Sequence, residues 1–243
     1  MNQLQSFLIA LQFLTIIPVR LRAPADDKNI SNSLVYYPLV GGLIALILVL
    51  SAELLSNQSS LVIAVICLTL WVLLTGGLHL DGLADSADAW LGGLADRDKT
   101  LAIMKDPASG PIAVVTMILV LLIKFIMLNE LIKQQDWLSI AITIVLARSA
   151  LPLLFITTPY VRKEGLGSLL IQNMPKSLLK WLLLIIIAAS LLLSSFTLVM
   201  VFLISFLLLR FCMEQRLGGT TGDTAGAMVE LIEMTVLITA VII

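Results

Sequence analysis

The sequence predicts an all-α, polytopic transmembrane bundle of six to seven spans, with an interfacial helix at the N-terminus. Three observations carry this. Of 243 residues, 59% are hydrophobic and only 13% charged, against about 45–50% and about 25% in a soluble domain. Mean hydropathy is +1.06, more apolar surface than a single water-soluble core can hide. The apolar residues also fall in runs near the length of a bilayer-crossing helix, about 20 residues. The lipid bilayer is therefore the first expected partner.

Charge and cysteine usage exclude several classes. A net charge of −1 leaves no basic excess for nucleic acid. Cys67 and Cys212 stand far apart in apolar stretches, with no Cys-x-x-Cys spacing, and His79 is the single histidine. Neither a disulfide framework nor a zinc site is indicated, and a multi-histidine metal site is excluded.

Residues 2–17 follow a helical three-to-four spacing through Leu4, Phe7, Leu8, Leu11, Leu14 and Ile17, and stop at Pro18. Arg20 and Arg22 follow the apolar run instead of preceding it, unlike a signal peptide, so the helix is expected to lie in the membrane interface. Tyr36–Leu55 and Leu61–Leu78 form one hairpin of spans, and Ile112–Ile132 with Trp137–Thr157 a second. The 32 residues of Leu178–Leu209 carry only Lys180 as a charge and exceed one span, so they divide near Ser194–Ser195. Ala225–Ile243 is the last candidate, interrupted by Glu230 and Glu233.

Segments 1–33, 79–110, 158–180 and 210–224 hold 12 of the 15 Lys and Arg residues. That bias sets them, and the N-terminus, on the cytoplasmic side. No segment between spans is long enough for a separate domain, so residues 1–243 read as one integral-membrane domain. Its polar parts are the N-terminal segment 1–33, an Asp-rich motif in 79–110 and a Gly-rich motif in 210–224.

The Asp-rich motif runs Thr75-Gly-Gly-Leu-His79-Leu-Asp81-Gly-Leu-Ala-Asp85-Ser-Ala-Asp88. On a helix turning about 100° per residue, Asp81, Asp85 and Asp88 share one face within about 60°. Three carboxylates so close repel one another, and a divalent cation removes the conflict. Oxygen donors alone favour magnesium or manganese over zinc. The competing reading is a solvated acidic helix end, or pairing with Arg97, Lys99 and Lys105.

A second motif, Arg216-Leu-Gly-Gly-Thr220-Thr-Gly222-Asp223-Thr224, opens the last helix. A glycine-rich loop at a helix N-terminus offers N–H groups to phosphate, and Asp223 either caps the helix or joins the metal ligands. It lacks the Gly-Lys-Ser/Thr ending of an NTPase loop. Glu230 shares Asp223's helical face. Lys105 and Asp106, ahead of the third span, are candidates for substrate contact, with Gly222 and Thr224. Arg148 lies inside a span, where a charge needs a partner: a substrate phosphate, an aspartate or a structural counter-ion. Lys124 is expected at a bundle interface with no role in the site. His79 either orients a carboxylate, binds substrate or makes a structural hydrogen bond. These parts suit phosphoryl or diphosphate chemistry on the cytoplasmic face, by positioning and charge neutralisation.

The Asp-rich block, with Ile103-Met-Lys-Asp106, Glu164-Gly-Leu-Gly167 and Gly218-Gly-Thr-Thr-Gly-Asp-Thr224, resembles the cobalamin synthase family, the adenosylcobinamide-GDP ribazoletransferases. The likeness spans essentially the whole chain, including Leu11-Gln-Phe-Leu-Thr-Ile-Ile-Pro18 and Tyr37-Pro-Leu-Val40. It implies a multi-pass, magnesium-dependent enzyme of the prokaryotic cytoplasmic (inner) membrane, acting in the last assembly stage of coenzyme B12. The implied substrates are a corrinoid nucleotide, adenosylcobinamide-GDP, and α-ribazole or its 5′-phosphate. The products are adenosylcobalamin, or its 5′-phosphate, and GMP. It further implies Asp81 and Asp85 as metal ligands and Asp88 as ligand or base, with Asp85 a second catalytic candidate and Asp223 on the family's C-terminal motif. A homo-oligomer or a complex with other cobalamin-assembly enzymes is compatible with it. The chain departs from the family pattern at Ile16, Ala89 and Ala108, leaving every aspartate intact.

Two other enzyme classes and one non-enzyme are weaker. A CDP-alcohol phosphotransferase motif continues into Ala-Arg, whereas Asp85 follows Ala84 here. A prenyltransferase of the diphosphate-binding type calls for two Asp-rich motifs, and Asp223 stands alone. An ion-coupled transporter calls for repeated halves and midplane charges, and no repeat is visible.

Overall fold

The computed structural model describes residues 3–21, 25–162 and 166–243. Asn2, Arg22, Lys163 and the Glu164–Gly165 part of the third motif lie outside them. Twelve α-helices make up the described chain: α1 (Gln3–Leu14), α2 (Asp27–Ser33), α3 (Tyr37–Leu54), α4 (Ser60–Thr75), α5 (Leu78–Gly92), α6 (Arg97–Ile103), α7 (Pro111–Gln134), α8 (Trp137–Thr157), α9 (Leu166–Gln172), α10 (Lys176–Leu193), α11 (Phe196–Leu217) and α12 (Gly222–Ile242). A 3-10 turn over Leu34–Tyr36 joins α2 to α3 in one run.

Six of these stretches are long and apolar enough to cross a membrane: Asp27–Leu54 and helices α7, α8, α10, α11 and α12. Helix α4 makes a seventh when it is counted with α5, from which it is bent by 86°. The expected division of 178–209 falls at Ser194–Ser195, where Ser195 accepts from the Leu198 N–H at 3.1 Å and caps α11. Three short helices, α2, α6 and α9, occupy segments expected only as polar connections. Asp26 and Asp96 start the first two by accepting from the Asn29 and Lys99 N–H groups at 2.7 and 2.8 Å.

Helices α8 and α12 form the centre, with 72% and 67% of their spans buried, against 17–28% for α7, α10 and α11. The outer helices turn Trp181, Leu192, Phe196, Leu208 and Phe211 outward. This is the inverse of a soluble bundle and the expected arrangement when lipid is the solvent. In the interior, Lys124 (α7) donates to Glu230 at 2.9 Å and to Glu233, both on α12, and Arg148 (α8) pairs with Glu233. All four side chains are at most 6% exposed. Two positive and two negative charges are thus balanced where an unpaired one is costly.

The corner between α4 and α5 needs glycine. Gly76 and Gly77 have φ of 62° and 68°, the left-handed region that other residues enter at a cost. They stop α4 three residues before the expected Leu78 and turn α5 away, so the aspartates do not continue a span. Pairing of Ile16 N–H with the Leu74 carbonyl at 2.8 Å ties the chain after α1 to the same corner.

Candidate functional site at the junction of α5, α8 and α12

Helices α5 and α12 pack with their backbones nearly touching. A Cβ on Gly82 would stand 2.6 Å from the Asp223 carbonyl oxygen, and one on Gly226 3.3 Å from that of His79. The small residues of the Asp-rich motif serve this approach, which sets Asp223 beside Asp81 and Asp85. The expected cap at Asp223 belongs to Thr221. Its hydroxyl accepts from the Thr224 N–H at 3.2 Å, while Thr224 Oγ1 accepts from the Thr221 N–H at 2.9 Å. That reciprocal box leaves the Asp223 carboxylate free to turn outward. It also buries Thr224, so of the two expected phosphate contacts in this loop only Gly222 borders the cavity described below.

Arg162, one of the basic residues of segment 158–180, completes the cluster. Arg162 Nη2 donates to Asp223 Oδ2 at 2.5 Å. It is held there because Val161 N–H donates to the Thr220 carbonyl and Thr220 N–H to the Pro159 carbonyl, both at 2.8 Å, which clips this segment onto the glycine-rich loop. Arg97, Lys99 and Lys105 do not supply the pairing. Arg97 donates to the Leu217 carbonyl at 2.8 Å, and Lys105 and Asp106 are exposed on the loop before α7.

Asp85 registers the crowding. Partial burial pushes its carboxyl up to about 6, the charges of Asp81, Asp223 and Asp88 add to this, and Arg162 opposes it. Asp88 shares their helical face but has other work. Its Oδ1 accepts from the Ala113 N–H at 3.0 Å and its Oδ2 from the Gly110 N–H. It thus caps α7, whose own N-cap residue, Gly110, has no side chain to do so. Arg148 is also placed elsewhere, against Glu233 in the bundle interior.

Of the aspartates, Asp81 and Asp223 border a cavity of about 250 Å³, which is also lined by His79 and Arg162 and by the aromatic rings of Phe13, Tyr37, Phe155 and Tyr160. Tyr160 lies edge-on to Phe155 and Phe13 stacks on Tyr37, each pair at 6.1 Å between ring centres. A wider opening of about 580 Å³ meets it at Phe13, Leu78 and Asp81. Polar groups converging at the mouth of an aromatic pocket mark a ligand site.

The donor set is all carboxylate, hard oxygen of the kind magnesium prefers. Among the described residues no three or more His, Cys, Asp or Glu side chains stand together as a metal cage. The expected four-aspartate set is therefore not assembled: Asp88 caps α7 and Asp223 is paired with Arg162. Magnesium needs no such cage, since it keeps several waters and takes one or two carboxylates plus substrate phosphates. Asp81 and Asp85 fit that requirement.

The chain matches the family described as Cobalamin-5-phosphate synthase over residues 6–241. It is 51% identical to a Pseudomonas putida protein named adenosylcobinamide-GDP ribazoletransferase, over 96% of each chain. It is 50% identical to a Pseudomonas aeruginosa protein of the same name, over 97% of each. This chain belongs to the cobalamin-5-phosphate synthase family. It is a transferase of cobalamin biosynthesis. No solved structure matches it. For a member of the cobalamin-5-phosphate synthase family, the residues hidden from sequence reasoning are Arg162, Tyr160, Phe155, Tyr37 and Phe13. Arg162 and Asp223 are 61 positions apart, and nothing in either local sequence announces their pairing.

Proposed function

We propose that this chain joins adenosylcobinamide-GDP to α-ribazole, or its 5′-phosphate, with release of GMP. We further propose that it acts at the cytoplasmic face of a prokaryotic inner membrane. The observation that carries the reading is that Asp81, Asp223 and Arg162 border one aromatic cavity, with Asp85 one helical turn beyond Asp81 and coupled to them by charge, on segments carrying most of the chain's basic loop residues. In this reading Asp81 and Asp85 hold magnesium, which when bound neutralises the charge on the diphosphate. Arg162 leaves Asp223 for a phosphate oxygen. Asp223, bordering the cavity where Asp88 does not, then takes the proton of the ribazole hydroxyl. That hydroxyl oxygen bonds to the phosphorus next to cobinamide, and the bond from this phosphorus to the GMP oxygen breaks. Lys105 and Asp106 stand off the cavity and are assigned no step.

The test is product formation by purified protein in detergent, supplied with adenosylcobinamide-GDP, α-ribazole and magnesium. GMP and a cobalamin are expected together, both lost with EDTA and in Asp85→Asn at normal expression. No GMP from the wild type, beside an active relative, rejects the proposed reaction.

A further inference from the structure

His79 is 3% exposed, borders the 250 Å³ cavity, and its Nε2 has no hydrogen-bond partner. A buried polar nitrogen without a partner is costly, and at a cavity wall the cost is recovered when a ligand supplies one. The backbone at His79 is fixed by its close crossing with Gly226, so the ring is held against that wall. Around it, the Phe13–Tyr37 and Phe155–Tyr160 pairs come from three different parts of the chain, α1, the start of α3 and the end of α8 with the segment just after it, and meet at one space. Flat aromatic walls with an unpartnered ring nitrogen set among them, and charged groups at one end, suit a planar heteroaromatic ring carrying a polar substituent. A corrin macrocycle exceeds the space.

Resting on the reaction proposed above, we propose that this cavity is the base subsite for ribazole, with His79 Nε2–H donating to the unsubstituted ring nitrogen of the base. The base is glycosylated through one ring nitrogen and keeps a lone pair on the other, which is the acceptor the imidazole needs. The sugar then points toward Asp81 and Asp223, where its hydroxyl meets the diphosphate. His79 acts as a specificity residue and takes no part in the proton transfer.

Calorimetry with the full-length protein in detergent tests this, using α-ribazole and an analogue with C–H in place of the free ring nitrogen. The wild type is expected to prefer ribazole by about tenfold, the value of one hydrogen bond. His79→Ala is expected to bind both nucleosides alike, and His79→Gln, whose amide also donates, to restore part of the preference. Phe155→Ala is expected to weaken both equally. Equal binding of the two by the wild type overturns the subsite without any variant, and so does a preference that survives His79→Ala. A wild type that releases GMP without discriminating removes only the subsite. One that neither turns over nor binds ribazole removes the reaction as well.

Discussion

At the scale of single residues, three aspartates of identical type and shared helical face have separate environments. Asp88 satisfies two backbone N–H groups at the start of α7, so its removal is expected to act on stability. Asp88→Ala should lower the melting temperature, corresponding to about 1–2 kcal/mol for a lost helix cap, with turnover per folded molecule largely kept. Full stability with abolished turnover would instead make it a catalytic group. Burial and its neighbouring carboxylates push the Asp85 carboxyl up to about 6, so the folded protein holds this proton more tightly than the unfolded chain does. The stability from that proton is present at low pH and is lost as pH rises through about 6, unless a cation takes its place. Magnesium is therefore expected to raise the melting temperature at pH 7.5 and to have little effect at pH 5. An equal rise at both would place the cation away from Asp85. Arg162→Gln removes the charge expected to meet phosphate and should lower turnover by about 10²-fold, measured as GMP release.

At the scale of helices, the α5–α12 contact and the interior ion network decide different things. Gly82→Ala puts a Cβ against the backbone of Asp223, which cannot yield as a flexible side chain would. The helices must separate, and activity should fall at normal expression. The network of Lys124, Arg148, Glu230 and Glu233 ties α7 and α8 to α12. Glu233→Gln leaves an uncompensated buried charge and should destabilise the fold by about 3–5 kcal/mol. Adding Arg148→Met restores neutrality, so the double variant should be more stable than Glu233→Gln alone in denaturant unfolding.

At the scale of the whole molecule, the proposed topology of seven crossings from a cytoplasmic N-terminus would carry Ile243 to the opposite face from Asp106. Single cysteines at these two positions, in a background without Cys67 and Cys212, should label from opposite sides of sealed vesicles. Labelling from one side would break the topology. With that topology, the Asp-rich corner, the Arg162 segment and the glycine-rich loop all face the same compartment, a precondition for one site.

The number of spans, the break at Ser194–Ser195 and the helical phase of the aspartates were legible in the sequence, because hydropathy, length and period are local properties. So was the pairing of an Asp-rich with a Gly-rich motif, through the family they resemble. Which aspartate is free was not legible. The capping of α7 by Asp88 and the pairing of Asp223 with Arg162 join residues 22 to 61 positions apart. The aromatic cavity was equally hidden, since Phe13, Tyr37 and Phe155 sit in ordinary apolar helical runs and Tyr160 in the segment after α8, with nothing local to mark their meeting. Local chemistry determined what this chain is made to cross and which groups it can bring to phosphate. The tertiary packing alone decided which of those groups meet, because contact between distant segments depends on helix crossing and not on any one helix's sequence.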